Sequence, residues 1–236
     1  MAEAVRVIDA DLQVRGDAGR ARQEKAYLHS VLEHYGASVP AIRAVAASVG
    51  ARFPDLGHDD LVALVAQLWK TPVHEFKMVA VELLRAHESL LTGADLALLE
   101  FLLRSSGTWA LVDELAARVV GGLAQRDPGV GPVLDRWAAD DDFWLRRSAL
   151  LALLLPLRRG EGDFARFSRY ADSMLEEKEF FIRKAIGWVL RDTAKKRPDL
   201  VYQWLLPRAR RASGVTVREA IKPLSEEQRT AILAAR

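Results

Sequence analysis

Apolar residues return every three or four positions along almost the whole 236-residue chain. This spacing places them on one face of an α-helix, whereas the strict alternation that marks a half-buried β-strand is scarce. Ala, Leu, Arg and Glu, which all favour helices, are abundant. The pattern therefore predicts an all-α protein.

Short breaks rich in Gly, Pro, Asp and Ser interrupt this pattern. Thr71 followed by Pro72 indicates a helix N-cap with proline at the first helical position. Ser225 with Gln228 three residues later indicates a capped first turn. The helices predicted between the breaks lie near 17–35, 39–50, 58–69, 73–88, 94–104, 108–122, 129–138, 143–156, 164–175, 179–196, 198–206, 215–222 and 225–235.

Modest helix lengths and short connections predict antiparallel helix pairs stacked in series, because such an α-solenoid buries one face of every helix. The repeat of roughly 35–40 residues is in the range of HEAT-type pairs. The pairs are not visibly alike in sequence, and a compact irregular bundle is the structural alternative. We expect one domain over 1–236, with capping helices in 1–20 and 207–236.

The composition excludes several classes of protein. There is no cysteine, hence no disulfide framework, thiolate metal site or cysteine nucleophile. The longest apolar run, 149–155, is far shorter than the roughly 20 residues that a bilayer span needs. The first residues carry acidic side chains and lack the apolar core of a signal peptide. We therefore expect a soluble, cytoplasmic protein.

Charge is distributed unevenly along the chain. Residues 1–130 hold 13 Lys+Arg and 17 Asp+Glu, a net charge of −4, whereas residues 131–236 hold 21 and 15, a net charge of +6. Such an asymmetry predicts that the second half faces a polyanion. The alternative is that the difference arises by chance on solvated helix faces.

Trp109 and Asp113 lie four residues apart, so they share one face of a predicted helix. That face continues through apolar residues, which places the carboxylate either half-buried or in a cleft. A catalytic carboxylate beside an aromatic ring fits this position. The alternative is an ordinary acidic residue that the positive end of the helix dipole favours.

Two later helices also place a tryptophan beside cations. Trp144 lies three residues before Arg147, and Trp188 lies between Lys184 and Arg191. Aromatic rings and cations together suit the sugars and phosphates of a nucleic acid. The alternative is an amphipathic helix with core tryptophans and solvated cations. Three further tryptophans are expected to be such core residues: Trp69, Trp137 and Trp204.

Other candidate sites are weak. The five histidines lie in the acidic half, and none has a metal-ligand spacing such as HExxH. His74 and Glu75 are more typical of a helix start than of a ligand pair, and we expect Asp140, Asp141 and Asp142 to cap the next helix. Without a GxGxxG or P-loop motif, the sequence predicts neither a metal nor another cofactor.

The motifs Trp109-x3-Asp113 and Trp144-x2-Arg147, with the segments 72–80 and 180–191, resemble the AlkD-type DNA alkylation-repair glycosylases. The resemblance covers roughly residues 25–205, with the motifs in the same order. It implies HEAT-like repeats that curve around a basic concave DNA-binding cleft.

The resemblance also implies the role of individual residues. Asp113 matches the catalytic carboxylate, and Trp109 and Trp188 match the tryptophans that flank the sugar of the damaged nucleotide. The stretch 36–40 does not supply a polar base-contacting residue that some members carry. The expected DNA contacts are Arg147, Arg191, Lys184 and Tyr27.

The implied activity is hydrolysis of the N-glycosidic bond of cationic N3- and N7-alkylated purines in duplex DNA, without base flipping. A carboxylate about 4 Å from an oxocarbenium-like sugar gains roughly 4 kcal/mol at an effective dielectric near 20, which explains the need for Asp113. The protein is expected to act as a monomer without a cofactor. Two alternatives are a HEAT-like nucleic-acid-binding module without catalysis and a protein-interaction scaffold.

Overall fold

The computed structural model describes residues 2–236, and regular secondary structure in this range is helical. A single isolated parallel bridge joins Glu33 to Val73 within it. The prediction of an all-α protein is confirmed. The chain divides into two compact units, Met1–Leu115 and Ala116–Arg236. Whether it functions as one domain stays a prediction.

The first unit is organised around one helix, α5, in which every residue from His74 to Leu84 is buried. Helices α3 and α4 pack against it, and both contribute buried apolar residues to the core. The helices of this unit are α1 (Ala2–Val14), α2 (Ala18–Leu28), α3 (Val39–Arg52), α4 (His58–Lys70), α5 (His74–Ala86), α6 (Leu96–Arg104) and α7 (Trp109–Glu114).

A π-helical segment, Leu115–Val120, follows α7. The helices of the second unit are α8 (Gly121–Arg126), α9 (Val130–Trp137), α10 (Phe143–Leu151), α11 (Leu154–Arg158), α12 (Phe164–Ser173), α13 (Phe180–Ala194), α14 (Pro198–Leu205), α15 (Gly214–Ala220) and α16 (Glu226–Ala234). Helix α13 is central here, because α10, α11, α14 and α15 all pack against it.

The predicted helix over 17–35 is too long. Helix α2 ends at Leu28, because His29 adopts the left-handed conformation (φ 48°) that terminates a helix. The following segment is extended at Glu33, whose backbone accepts a hydrogen bond from the His74 amide at 2.9 Å. This pairing keeps residues 72–73 out of α5.

The same pairing overturns the predicted N-cap at Thr71. Thr71 instead caps the C-terminus of α4, and Val73 precedes the first residue of α5 without a side-chain cap. The capped turn at Ser225 is confirmed, since its hydroxyl accepts from the Gln228 amide and the Gln228 side chain bonds back. Asp142 also caps α10 as expected.

Two predicted helices are interrupted. The segment 143–156 divides into α10 and α11 at residues 152–153, and the segment 108–122 contains the π-helical turn. Helix α1 lies within the predicted N-terminal capping segment 1–20. Among residues 2–236, no helix combines the length and the apolar character that crossing a membrane requires.

Candidate functional site

The six tryptophans of the chain separate into two groups by exposure. The three that the sequence assigns to the core are buried: Trp69, Trp137 and Trp204. The three in the motifs with charged residues are half-buried: Trp109, Trp144 and Trp188. An aromatic ring that stays partly open to solvent is available to a ligand, so each tryptophan of the second group is a candidate ligand contact within its own unit.

Trp109 is the first residue of α7, and Asp113 lies one helical turn further along. Both residues are half-buried. Tyr27, on α2, places its ring edge-to-face with Trp109, with the ring centroids 5.8 Å apart and the planes at 87°. Tyr27 is 70% exposed. The structure therefore joins two sequence-predicted residues, Tyr27 and Trp109, in one aromatic surface beside α7.

Two side chains hold the loop before α7 in place through hydrogen bonds to Ser105. The Lys77 Nζ donates to the Ser105 carbonyl at 3.1 Å, and the Trp69 indole N–H donates to the Ser105 hydroxyl at 2.9 Å. Lys77 also lies 4.8 Å from the centroid of the Trp69 ring. Burial lowers the pKa of Lys77. These contacts anchor the loop that leads to Trp109, four residues after Ser105.

Trp188, on α13, is oriented by a buried carboxylate. Its indole N–H donates to Asp192 at 3.1 Å, and Asp192 is only 1% exposed. Burial acts to raise the pKa of Asp192, but hydrogen bonds from Lys195 and Arg158 outweigh it and leave this pKa lowered. Asp192 was not among the predicted site residues, although its i, i+4 spacing from Trp188 is visible in the sequence.

Two of the predicted DNA contacts share one carboxylate in the second unit. Arg191 hydrogen-bonds to Glu219 of α15, and the Lys184 Nζ lies 3.6 Å from the other Glu219 oxygen. Hydrogen bonding to Lys222 is the main reason that the pKa of Glu219 is lowered. Glu219 therefore holds both cations on one side of α13.

Arg147, a further predicted DNA contact, is 2% exposed. Its guanidinium donates to the Phe181 carbonyl and lies 5.8 Å from the centroid of the Phe181 ring. The Trp144 ring lies 5.0 Å from the same phenylalanine ring. The structure thus places Arg147 beneath aromatic side chains that join α10 to α13. A contact of Arg147 with DNA stays a prediction.

One cluster in the first unit has the composition of a metal site. Glu24, His34 and Glu75 each offer a ligand atom, and the three atoms lie within 4.8 Å of one another. The sequence did not predict this cluster, because its members are far apart in the chain and only the fold brings them together.

The comparisons with known proteins agree with this architecture. No curated protein matches the chain. Among solved structures, a protein from Enterococcus faecalis described as a "predicted DNA alkylation repair enzyme" is similar, with a TM-score of 0.80 and 21% identity, covering 90% of this chain and 98% of its own. AlkD2 from Streptococcus mutans has a TM-score of 0.62 and 20% identity, covering 87% and 99%.

These likenesses define the class of protein by its fold, the all-helical solenoid of AlkD-like proteins. The family described as DNA alkylation repair enzyme matches residues 8–224. The chain belongs to this family, and the predicted resemblance is confirmed. Membership supports an enzyme with a role in the repair of alkylated DNA.

Proposed function

We propose that this protein is a DNA glycosylase that hydrolyses the N-glycosidic bond of cationic N3- and N7-alkylated purines in duplex DNA. One observation carries the proposal: in a member of this family, Trp109 and Asp113 lie half-buried one turn apart on α7, with the exposed ring of Tyr27 against Trp109. This arrangement presents an aromatic surface and a carboxylate to the same ligand.

The chemistry explains why these residue types suit the substrate. An N3- or N7-alkylated purine already carries a positive charge, so its glycosidic bond breaks without an acid on the base. Cationic character then develops on the deoxyribose. Asp113 stabilises that charge and accepts the proton of the attacking water. The indole face of Trp109 favours the same electron-poor sugar.

The remaining predicted residues have supporting roles in the proposal. Trp188, whose orientation Asp192 fixes, provides a second indole face to a sugar. Arg191 and Lys184 bind backbone phosphates, which sets the register on the duplex without reading its sequence. Arg147, which is buried and donates to the Phe181 carbonyl, would support the same surface by joining α10 to α13. The enzyme then selects lesions by the charge and lability of the bond, and the base need not leave the helical stack.

The substrate class is tested by incubating the protein with methylated duplex DNA and with a duplex that contains hypoxanthine, a neutral lesion. Released bases are measured by chromatography against protein-free controls, because cationic lesions also depurinate spontaneously. We expect release of 3-methyladenine and 7-methylguanine above the control and no release of hypoxanthine.

Two results would count against the proposal. If the methylated bases are released no faster than in the protein-free control, the protein is a nucleic-acid-binding module or a protein-interaction scaffold. Added salt would weaken the binding of DNA to the first and would have no such effect on the second. Equal release of hypoxanthine would reject selection by the charge of the leaving base.

A further inference from the structure

The cluster of Glu24, His34 and Glu75 brings three metal-ligand side chains together from different parts of the first unit. Glu24 lies on α2, His34 lies in the segment between α2 and α3, and Glu75 lies in the first turn of α5. One ligand atom from each lies within 4.8 Å of the other two. Glu75 is fully buried, and Glu24 and His34 are half-buried.

The imidazole of His34 is unsatisfied within the described residues 2–236. Both ring nitrogens are shielded from solvent, and neither has a hydrogen-bond partner there. A neutral imidazole has one donor and one acceptor, and leaving buried polar groups unpaired costs free energy. One face of the ring is covered by His74, whose ring stacks on it at 4.6 Å and 11°. The ring is thus held in place with its nitrogens available.

Glu75 is oriented in the manner of a metal ligand. One carboxylate oxygen accepts hydrogen bonds from the amides of Gly36 and Ala37, at 2.6 and 3.2 Å. The other accepts from the Tyr35 amide at 3.0 Å. Such outer contacts commonly fix the orientation of metal-bound carboxylates. The backbone that follows His34 therefore positions both side chains at once.

We propose that Glu24, His34 and Glu75 bind one divalent transition-metal ion, with Zn²⁺ the ion that best fits the donors. Two carboxylates balance its charge, and the imidazole selects it over Mg²⁺ and Ca²⁺, which prefer oxygen ligands alone. Three protein ligands and one water complete the tetrahedral coordination that Zn²⁺ adopts.

Binding requires a small contraction of the cluster. Ligand atoms around a tetrahedral zinc with bonds of about 2.0–2.1 Å lie roughly 3.3 Å apart. Glu24 supplies the movement, because its long side chain is half-exposed on α2, whereas backbone amides hold Glu75. The Glu24 carboxylate also lies 3.5 Å from Arg20, an exposed contact that a small movement of the side chain can give up.

The bound ion would join α2 to α5. Tyr27 lies three residues after Glu24, on the same side of α2, and its ring packs against Trp109. The metal would therefore fix the helix that carries the exposed tyrosine of the candidate site. Metal binding itself does not rest on the proposed glycosylase function and is measured without DNA.

The test uses the full-length protein after treatment with EDTA and dialysis. Calorimetric titration with ZnCl₂ should give one equivalent with a Kd on the order of micromolar or tighter, and Zn²⁺ should raise the Tm. The variants Glu24→Gln and His34→Gln should weaken binding at least about 100-fold, since each removes one of three ligands. Melting both variants in EDTA shows whether each is folded, and either one alone suffices for the test.

His58→Gln is the matched control. His58 also lies between two carboxylates, but its ring nitrogens already bond Asp59 and Asp95 at 2.9 and 2.8 Å, so this variant should bind Zn²⁺ like the wild type. The proposal is overturned by the absence of stoichiometric binding, by wild-type affinity in a folded Glu24→Gln or a folded His34→Gln, or by an equal loss in His58→Gln. Equally tight binding of MgCl₂ would overturn the assignment to a transition metal.

Discussion

Two of the half-buried tryptophans, Trp109 and Trp188, each make a specific contact with a neighbouring side chain. The Trp109 ring packs edge-to-face with Tyr27, and the Trp188 indole N–H donates to Asp192. A core indole such as Trp69 has a hydrogen bond of this kind as well, to Ser105, but is also packed on nearly all sides. A half-exposed ring has fewer neighbours, so a contact such as the hydrogen bond to Asp192 matters more for its position.

The buried carboxylate of Asp192 stabilises the folded protein in a pH-dependent way. The ionised carboxylate accepts hydrogen bonds from Trp188, Arg158 and Lys195, and its pKa in the folded protein is lowered. The stability it contributes is therefore fully present above the ordinary aspartate pKa of about 3.9. It is lost as the pH falls through the lower folded value.

The Asp192→Asn variant should lower the free energy of unfolding by about 1–3 kcal/mol at pH 7, and the difference from the wild type should shrink as the pH falls below about 4. Urea unfolding at about pH 7 and about pH 3 measures both effects. Asp141→Asn, at an exposed position, should change neither the free energy of unfolding nor its dependence on pH. A difference that stays constant with pH would reject the ionised carboxylate as the source.

The residue types of the candidate site were predictable, but their partners were not. Trp109, Asp113 and Trp188 stand out by helical spacing and by resemblance. The sequence contains no comparable sign that Glu219 binds Arg191 and Lys184, because that contact depends on how two helices pack. The burial of Arg147, an expected DNA contact, likewise depends on how α10 and α13 pack.

At the scale of helices, the close approach of α13 and α15 depends on Gly187. A Cβ atom at this position would lie 2.9 Å from the Glu219 Cβ and 3.0 Å from the Thr216 carbonyl oxygen. Both contacts are too short for α15 to stay in place. Gly187 therefore sets the distance at which Glu219 reaches the cations of α13.

Gly187→Ala should destabilise the protein by about 1–3 kcal/mol through overpacking, although alanine is the better helix former. Gly50→Ala is the matched control within α3, because the nearest atom to its Cβ would be His87 Cε1 at an ordinary 3.9 Å. That variant should gain up to about 1 kcal/mol. Urea unfolding measures both, and a stabilised Gly187→Ala would contradict the packing described here.

Helix existence was predictable from periodicity, whereas several helix ends were not. Apolar spacing continues past Leu28, yet α2 ends there because the next segment pairs with Val73. The break between α10 and α11 lies one turn before Pro156, which has no N–H to donate to the Ala152 carbonyl, and the π-helical turn at Leu115–Val120 directly precedes Gly121 and Gly122. These residues interrupt the helices without changing the apolar period, so periodicity alone does not place the breaks.

At the scale of the whole molecule, the charge asymmetry of the sequence follows the division into units. Met1–Leu115 holds 11 Lys+Arg and 16 Asp+Glu, a net charge of −5, and Ala116–Arg236 holds 23 and 16, a net charge of +7. A positive unit attracts nucleic acid over a distance of about a Debye length. The basic cleft that the sequence predicts stays a prediction, as does action as a monomer.

The central claim is that the Asp113 carboxylate stabilises a cationic sugar during base excision. Its most direct test is the single-turnover rate at which the protein excises 7-methylguanine from a duplex. A charge interaction of about 4 kcal/mol that exists only in the transition state corresponds to roughly a thousandfold in rate. Asp113→Asn should slow excision by about that factor while DNA binding is retained.

Glu114→Gln is the control, because it removes the same charge one residue further along α7 and on a different face of the helix. This variant should excise 7-methylguanine within about threefold of the wild-type rate, a difference of less than about 1 kcal/mol in the barrier. A wild-type rate in Asp113→Asn, or an equal loss in both variants, would contradict the assignment of Asp113 as the catalytic carboxylate.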